Sequence, residues 1–412
     1  MKFASMRDAT YFLDKLIAHP PEKHDRLACV AHILEILGNP QNQIPAIHIA
    51  GTSGKGSTAY YATSLLNRAG YTTGTLVSPH IASTAERSLI NGQPLPEQEY
   101  LHYFQEFTSF YAAHNLHVSY FEFLTIFSFW LFKKMGVDYI IIEVGIGGRL
   151  DTTNVIFRSP TVRVITDIGL DHTELLGNTL TEIAQEKAGI IHQSDSVVMN
   201  RQASEIEMVV RQHAESQHSQ FSIASPIIDE FLKILPDFQQ RNWTLAYRAV
   251  EKRLALDKKP PLPKEVLEKS VHITIPGRLE KHDVDGVNII FDVAHNPQKI
   301  RALIDSLRKL YPDKKPVFVV AFGQNKQSSM AESLTIIDNL AQLAYATTFS
   351  ANYGKNHRHV PPETIQHLMK SSAKIEQNPA TALAKAINKA RQLDTYVVVT
   401  GSFYLVSEFA AR

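Results

Sequence analysis

The sequence predicts an α/β protein built from two Rossmann-like domains, of which the second is the smaller. Short apolar runs alternate with helical patterns along most of the 412 residues, which is typical of parallel sheets covered by helices on both faces. A glycine-rich loop separates the first apolar run from a helical pattern, as in nucleotide-binding folds. The charged, proline-rich stretch 257–264 interrupts this alternation before it resumes.

The length of the chain predicts more than one domain, because 412 residues exceed what a single hydrophobic core usually supports. Within 222–265 the helix and strand patterns weaken, and after Thr274–Arg278 they return. We therefore expect a first domain over residues 1–273 and a second over 274–412.

Composition excludes several classes of protein. The 42 basic and 41 acidic residues leave a formal charge of +1, whereas a nucleic-acid-binding protein usually carries a basic excess or tail. The single cysteine, Cys29, permits no internal disulfide framework and fits a reducing compartment. The first residues lack the apolar core of a signal peptide. We expect a cytoplasmic protein without nucleic-acid or membrane partners.

The most apolar stretch, 120–132, is predicted to be a buried helix. It is interrupted by Glu122, Thr125 and Ser128, and it is shorter than the roughly 20 residues that span a bilayer.

The elements of the first domain follow from periodicity and from turn residues. The predicted strands are 46–50, 73–77, 139–144, 162–168 and 197–199. The predicted helices are 7–38 with a break at Pro20 and Pro21, 59–69, 97–114, 120–132 and 180–189. A hairpin-type turn is expected at 90–93. In the second domain the pattern predicts strands at 288–293, 317–322 and 395–400 and a helix at 300–310.

The glycine-rich loop has the composition of a phosphate-binding loop. It reads Gly51, Thr52, Ser53, Gly54, Lys55, Gly56, Ser57 and Thr58. Glycines let backbone amides approach phosphate oxygens, and the following helix N-terminus favours negative charge. Lys55 can bridge the β- and γ-phosphates of ATP, and Ser57 or Thr58 can offer a hydroxyl to Mg2+. The alternative is an ordinary glycine-rich turn, because Gly56 stands where the common pattern has Ser or Thr.

Glu143 is the metal ligand that the residues themselves favour. It lies at the carboxyl end of a predicted parallel strand, where ligands bind in open α/β sheets. Mg2+ prefers hard oxygen ligands. The alternative is a solvated carboxylate at a strand end.

With these motifs the chain resembles the folylpolyglutamate synthase/dihydrofolate synthase family, a branch of the Mur ligase superfamily. The family loop reads G-T-N-G-K-G-[ST], and this chain differs only at Ser53. Further motifs follow in the family's order, at 78–80, 86–92, 121–125, 143–154, 171–172, 186–190, 276–280, 292–297 and 400–406. The resemblance implies a P-loop central domain of the Mur ligase type and a C-terminal domain of the same superfamily.

The resemblance also implies roles for residues of the first domain. Ser57, Ser78 and His172 are implied ligands of Mg2+, although an imidazole on Mg2+ is unusual. Two Mg2+ ions are expected, the second held with the help of a carbamylated Lys187. From the sequence alone, His172 is an ordinary loop histidine and Lys187 a surface lysine.

In the second domain, the resemblance implies contacts with the nucleotide. Arg278 corresponds to an arginine that reaches the ATP phosphates, and Asp292 to an aspartate on the ribose. His295 and Asn296 correspond to neighbouring contacts, although His295 taken alone is an ordinary loop histidine. Asn242 corresponds to an asparagine on the adenine.

The positions implied for the folate-type acceptor are Ser78, Pro79, Arg87, Phe121, Phe123 and Asp151. Aromatic residues two positions apart are more often core than ligand platform, and Arg87 is equally well explained as a surface arginine.

The sequence departs from the family pattern at three points. Val293 replaces a glycine, His192 replaces a frequent lysine, and the apolar strand expected before Asn242 is missing.

The function implied is ATP-dependent joining of L-glutamate to folate, to dihydropteroate or to both, through an acyl phosphate, in a monomer that binds ATP between its domains. The alternatives are another Mur-type amino-acid ligase and a non-catalytic nucleotide-binding switch. The 78–92 and 121–123 segments disfavour the first, and Arg278 with Asp292 disfavours the second.

Overall fold

The computed structural model describes residues 3–18, 25–350, 358–369 and 373–410. The chain divides into two compact units, Met1–Ile273 and Thr274–Arg412, called unit 1 and unit 2 below. The predicted break at Pro20 and Pro21 lies outside the described residues.

Unit 1 contains a seven-stranded sheet among its described residues. Its strands are β1 (Ala46–Ala50), β2 (Thr73–Leu76), β3 (Ser88–Ile90), β4 (Tyr139–Glu143), β5 (Val162–Ile165), β6 (Ser196–Met199) and β7 (Gln220–Ile223). The order is β3-β2-β4-β1-β5-β6-β7, and every pairing is parallel except that of β3 with β2. The short β3 was not predicted, but the turn expected at 90–93 is present, closed by a bridge between Ile90 and Gln93.

The helices of unit 1 cover both faces of this sheet. They are α1 (Met6–Ala18), α2 (Arg26–Ile36), α3 (Pro40–Gln43), α4 (Lys55–Arg68), α5 (Glu97–Ala113), α6 (Tyr120–Lys134), α7 (Thr173–Leu176), α8 (Leu180–Ala188), α9 (Ser204–Ser216), α10 (Asp237–Leu256) and α11 (Lys264–Ser270). One core cluster packs α5 and α6 against the sheet, with aromatic rings in edge-to-face contact. The stretch 257–264 connects α10 to α11 inside unit 1 rather than linking two domains.

The continuous apolar character of β1 and β4 follows from their central position. Every residue of both strands is buried, because neighbours flank them and helices cover both faces. Their parallel direction brings the carboxyl ends of β1, β2, β4 and β5 to one edge of the sheet, so the loops after these strands meet there.

Unit 2 contains a six-stranded sheet. Its strands are β8 (Glu280–Val284), β9 (Val287–Phe291), β10 (Val317–Val320), β11 (Leu343–Ala346), β12 (Ala373–Ile375) and β13 (Val397–Thr400). The order is β12-β11-β10-β13-β9-β8, and only β8 is antiparallel. Its helices are α12 (Pro297–Leu310), α13 (Gln327–Asp338), α14 (Pro362–Leu368), α15 (Pro379–Gln392) and α16 (Phe403–Ala410).

Among the described residues, no helix combines the length and the apolar character needed to cross a membrane.

Candidate active site

The glycine-rich loop joins β1 to α4, which begins at Lys55, four residues before the predicted start. Gly54 precedes the helix with a positive φ of 93°, and no side chain caps the helix N-terminus. The first-turn amides of α4 therefore have the arrangement that binds an anion. The Thr58 hydroxyl in this turn is buried without a hydrogen-bond partner, so a bound group could satisfy it.

Two lysine ammonium groups converge on one carbonyl of this loop. Lys55 Nζ donates to the Gly51 oxygen at 3.1 Å, and Lys187 Nζ donates to the same oxygen at 3.0 Å. Lys187 is only 3% exposed, so the interpretation as a surface lysine is wrong. It lies on the buried face of α8 with Ile183 and Ala184, at the i+3 and i+4 spacing that shares one helix face.

The loop after β5 supports the phosphate loop from the side. The backbone amides of Thr52 and Ser53 donate to the Asp167 carbonyl at 2.8 and 3.1 Å, and the Thr52 hydroxyl donates to the Gly169 carbonyl at 3.0 Å. The Asp167 carboxylate accepts hydrogen bonds from the Arg241 guanidinium at 2.7 to 3.0 Å. Asp167 and Arg241 were not predicted, because a charged pair separated by 74 residues leaves no local pattern.

Asn242 lies directly against the phosphate loop. Its amide oxygen occupies the space that a Cβ on Gly54 would fill, and the side chain is 3% exposed. The segment before it forms no strand but a 3-10 turn at Glu230–Ile234 and the start of α10. The strand that seemed missing is therefore not required to place this asparagine.

Glu143 ends β4 beside the phosphate loop. Its carboxylate lies 3.4 Å from the position of a Cβ on Gly56 and accepts a hydrogen bond from the Ser78 amide at 2.9 Å. It is 5% exposed and thus not a solvated strand-end carboxylate. Among the described residues, no three His, Cys, Asp or Glu side chains group as a metal site. A cation here would need hydroxyl, phosphate or water ligands besides Glu143, which suits Mg2+.

His172 lies on the loop that follows β5, in a left-handed backbone conformation just before α7. Its Nδ1 is 3.8 Å from Glu174, and about a third of its side chain is exposed. The loop that carries it is the one bonded to Thr52, so it belongs to the same edge of the sheet.

The acceptor-side candidates fall into two groups. Phe121 and Asp151 both flank Gly145, with ring and carboxylate atoms 2.7 and 3.1 Å from the position of a Cβ on this glycine. Phe123, by contrast, is fully buried among the rings of Phe12, Phe104, Phe107 and Tyr111. The structure therefore places Phe121 where a ligand could meet it and Phe123 in the core.

Arg87 is buried and not a surface arginine. Its Nε donates to His80 Nδ1 at 2.9 Å, and its guanidinium lies over the Tyr120 ring at 5.3 Å. Burial, assisted by this guanidinium, lowers the pKa of His80 to about 3. Pro79 is exposed beside them, and Ser78 is half-buried.

In unit 2 the candidate residues gather at the carboxyl end of β9. Asp292 accepts hydrogen bonds from the amides of Leu279 and Ala294, both at 2.9 Å. Burial raises the pKa of Asp292, and the Arg278 charge opposes that rise. His295 Nδ1 donates to the Val293 carbonyl at 2.8 Å, which leaves Nε2 to accept from Lys299 at 3.3 Å.

Two further residues complete this group. Asn296 caps α12 by accepting from the Lys299 amide at 3.0 Å. Val293, the departure from the family pattern, is buried in the core of the unit. Lys299 was not singled out from the sequence, because the predicted helix began at residue 300 and neither Lys299 nor His295 lay on it.

Known families and proteins match this chain over most of its length. The model of the Mur ligase middle domain matches residues 49–243, and that of the Mur ligase glutamate ligase domain matches 277–403. Folylpolyglutamate synthase of Lacticaseibacillus casei is 32% identical over 410 residues, covering 91% of each chain. The chain belongs to the folylpolyglutamate synthase/dihydrofolate synthase family.

Solved structures agree with this membership of the folylpolyglutamate synthase/dihydrofolate synthase family. The Mycobacterium tuberculosis folylpolyglutamate synthase complexed with ADP superposes with a TM-score of 0.84 at 25% identity, covering 98% of this chain and 97% of that one. The bifunctional Yersinia pestis enzyme, complexed with AMPPNP and a Mn ion, gives 0.82 at 25% identity, covering 99% and 98%. The predicted family, fold class and ligase activity are confirmed.

Proposed function

We propose that this chain joins L-glutamate to a folate-type carboxylate by way of an acyl phosphate made from ATP. The observation that carries the proposal is the convergence of Lys55 and Lys187 on the phosphate loop, with Glu143 beside Gly56. The Lys55 ammonium and the uncapped helix amides make a phosphate cradle, with the Glu143 carboxylate at its edge and the Lys187 nitrogen held beside it on the Gly51 carbonyl. Family relatives named as folylpolyglutamate and dihydrofolate synthases support the choice of acceptor.

On the ATP side, the uncapped amides of α4 and the Lys55 ammonium bind the β- and γ-phosphates. Asn242 is proposed to contact the adenine, and its position against Gly54 of the phosphate loop supports a role in nucleotide binding. In unit 2 the proposed nucleotide contacts are Arg278, Asp292 and His295. An always-charged, bidentate guanidinium such as that of Arg278 suits a phosphoryl group in transfer.

The donors around Glu143 fit Mg2+, because they are hard oxygens and leave positions for phosphate and water. Glu143, Ser57 and Ser78 would hold the ion, with His172 as a further ligand on the neighbouring loop. When bound, Mg2+ supplies charge neutralisation on the γ-phosphoryl group.

We further propose that Lys187 is carbamylated in the active enzyme and helps to hold a second Mg2+. In this reaction the neutral amine attacks CO2, a nitrogen–carbon bond forms and one proton is released. The nitrogen keeps one hydrogen, which can still donate to the Gly51 carbonyl. The new carboxylate converts a buried cation into an anion, which is favourable only beside cations.

On the acceptor side, Phe121 and Asp151 offer an aromatic face and a carboxylate on either side of Gly145. These groups suit a flat heterocycle with N–H donors, as in a pterin. Arg87, beside Ser78 and Pro79, provides a buried cation for a carboxylate of the acceptor. Phe123 lies in the aromatic core and is not proposed to contact the acceptor.

The chemistry then proceeds in two steps. An acceptor carboxylate oxygen attacks the γ-phosphorus of ATP, forming the acyl phosphate and releasing ADP. The α-amine of L-glutamate attacks the acyl carbon, the tetrahedral intermediate loses phosphate, and the amine gives up a proton as the amide forms. The contribution of the protein is orientation and charge stabilisation.

The test is ligation followed by mass spectrometry. Purified chain receives MgATP and L-glutamate with dihydropteroate in one reaction and tetrahydrofolate in another. A gain of one glutamate with dihydropteroate identifies the synthase activity, and a gain with tetrahydrofolate identifies chain extension. The absence of product in both reactions would contradict the proposal and direct attention to other acceptors of Mur-type ligases.

We also propose that the enzyme works as a monomer, the state that its resemblance to the family implies. The single cysteine is compatible with the reducing environment of the cytoplasm, where we expect the enzyme to work.

A further inference from the structure

Five buried polar side chains form a continuous hydrogen-bonded chain through unit 1, and the proposed chemistry uses only the last of them, Asp151. None is more than 7% exposed. In order they are Asp195, Arg163, His48, Thr153 and Asp151. Arg163 lies on β5 and His48 on the adjacent β1, whereas Thr153 and Asp151 lie on the loop after β4. The chain thus connects the centre of the sheet to the acceptor-side loop.

The arginine gives this chain a single direction. A guanidinium can only donate, so His48 Nδ1, 2.8 Å from Arg163, must be the acceptor. The proton of the neutral imidazole is then on Nε2, which donates to the Thr153 hydroxyl at 2.9 Å. The hydroxyl in turn donates to Asp151 Oδ1 at 2.5 Å. Arg163, His48 and Thr153 thus each donate one hydrogen bond in the direction of Asp151.

The other end of the chain fixes Arg163. Its Nε donates to the Asp195 carboxylate at 2.6 Å, and a terminal nitrogen donates to the Ile156 carbonyl at 2.7 Å. Asp195 also accepts from the amides of Thr161 and His192. Because a buried ion is stable only with its partners in place, the direction of donors cannot easily reverse.

Asp151 receives more than the hydroxyl. The Thr153 amide donates to its Oδ1 and the Ile146 amide to its Oδ2, both at 3.0 Å. Donors of this kind favour a carboxylate, whereas burial disfavours it and raises the pKa of Asp151. Of these donors, the Thr153 hydroxyl is the one whose orientation is set by a side chain inside the sheet.

We propose that Arg163, His48 and Thr153 are positioning residues that hold Asp151 ionised and fixed beside Gly145 for recognition of the acceptor. This inference rests on the proposed function, which assigns Asp151 to the acceptor side. This hydrogen-bonded chain ends on the acceptor-side loop and does not reach Lys55 or Glu143. Its loss should therefore weaken acceptor binding and leave ATP binding unchanged.

The test compares Thr153→Val, which removes the final donor, with Thr153→Ser, which keeps it. Thr63→Val is the matched control, because Thr63 is equally buried and bonds another hydroxyl, that of Thr75, at 2.5 Å. Thr153→Val is expected to raise the KM for the folate-type acceptor about tenfold, since a hydrogen bond to a charged group is lost. The KM for ATP should stay within about twofold, and Thr153→Ser should restore the acceptor KM.

Three results would overturn the inference while wild-type enzyme remains active. They are an unchanged acceptor KM in Thr153→Val, an equal rise in both KM values, and an equal rise in Thr63→Val. If Thr153→Val does not fold, the same comparison is made with His48→Gln against wild type, since glutamine can accept from Arg163 and donate to Thr153. A loss of acceptor affinity in His48→Gln at unchanged stability would contradict the chain as drawn. Wild-type protein inactive with every acceptor would remove the proposed function and this inference together.

Discussion

At the scale of single residues, burial distinguishes the candidates better than residue type does. Lysine and arginine are usually surface residues, but Lys187 and Arg87 are both buried. Both point into the edge of the sheet where the loops meet. A buried cation is costly unless a partner or ligand compensates it. Their burial is the physical reason for assigning them to the site.

Replacing Lys55 by alanine should abolish ATP-dependent ligation while leaving the fold intact. Lys55 supplies the proposed charge on the β- and γ-phosphates, and losing such a group typically costs on the order of a hundredfold or more in rate. Product mass and circular dichroism measure the two effects. Lys133→Ala, at an exposed lysine of α6, is the control and should retain activity. Wild-type turnover in Lys55→Ala would contradict the phosphate-loop assignment.

Carbamylation of Lys187 predicts a carbon signal that belongs to this residue alone. Protein equilibrated with 13C-labelled bicarbonate should show a carbamate resonance by NMR, and Lys187→Met should lack it. A spectrum of wild-type protein without this resonance, under conditions in which ligation proceeds, would remove the carbamate from the account.

At the scale of elements, the elements that were predicted and those that were missed differ in their environment. The central β1 and β4 are buried on both faces, so they read as the uninterrupted apolar runs AIHIA and YIIIE. The edge strand β8 reads EKHDV and is largely exposed, so no apolar pattern marks it. Hydrophobic pattern is weakest at the edges of a sheet, where β3, β7, β8 and β12 were missed. The internal strand β11 was also missed although it is fully buried, because its sequence LAYA contains two alanines and no β-branched residue.

The same reasoning applies to the site. The phosphate loop and Glu143 were predictable from the residues themselves because both lie at the carboxyl end of an apolar strand, whereas the residues after β9 were assigned through the family resemblance. The Asp167–Arg241 pair and the chain from Arg163 to Asp151 were not, because their members meet only in the folded sheet. Periodicity carries no information on such distant pairs.

The turn between β1 and α4 gives an element-scale prediction. A Cβ on Gly54 would overlap the Asn242 amide, and its φ of 93° strains any other residue. Gly54→Ala should therefore weaken ATP binding at least tenfold, measured by calorimetry. Gly70→Ala is the matched control, because its φ is 90° with nothing within 4 Å. Equal ATP affinity in the two variants would show that the Gly54–Asn242 contact is unimportant.

At the scale of the whole molecule, both units use one plan. Among the described residues, each has parallel strands with one antiparallel edge strand, and each carries candidate residues after the carboxyl ends of parallel strands. Ligands bind at this edge in open α/β sheets because the loops there are free to vary over a rigid support.

Buried histidines predict how the stability of the molecule depends on pH. Burial keeps the pKa of His48 well below its ordinary value of about 6.5 and lowers that of His80 to about 3. The unfolded chain therefore binds protons below about pH 6.5 that the folded chain does not bind. As the pH is lowered through this window, the free energy of unfolding should decrease by about 1.4 kcal/mol per pH unit for each histidine.

Thermal unfolding between pH 8 and 5 measures this effect. The melting temperature should be level above pH 7 and fall below about 6.5. Asp151 and Asp292, whose pKa values burial raises, act in the opposite direction. A melting temperature that is constant down to pH 5 would show that both histidines can be protonated in the fold.

The central claim is that the acceptor carboxylate is phosphorylated before glutamate attacks it. The direct measurement uses an acceptor with 18O in the reacting carboxylate, supplied with MgATP and L-glutamate, and determines the mass of the phosphate released. An acyl phosphate transfers one carboxylate oxygen to the leaving group, so one 18O should appear in inorganic phosphate for each amide formed. Label in AMP, or phosphate without label while ligation proceeds, would contradict the account.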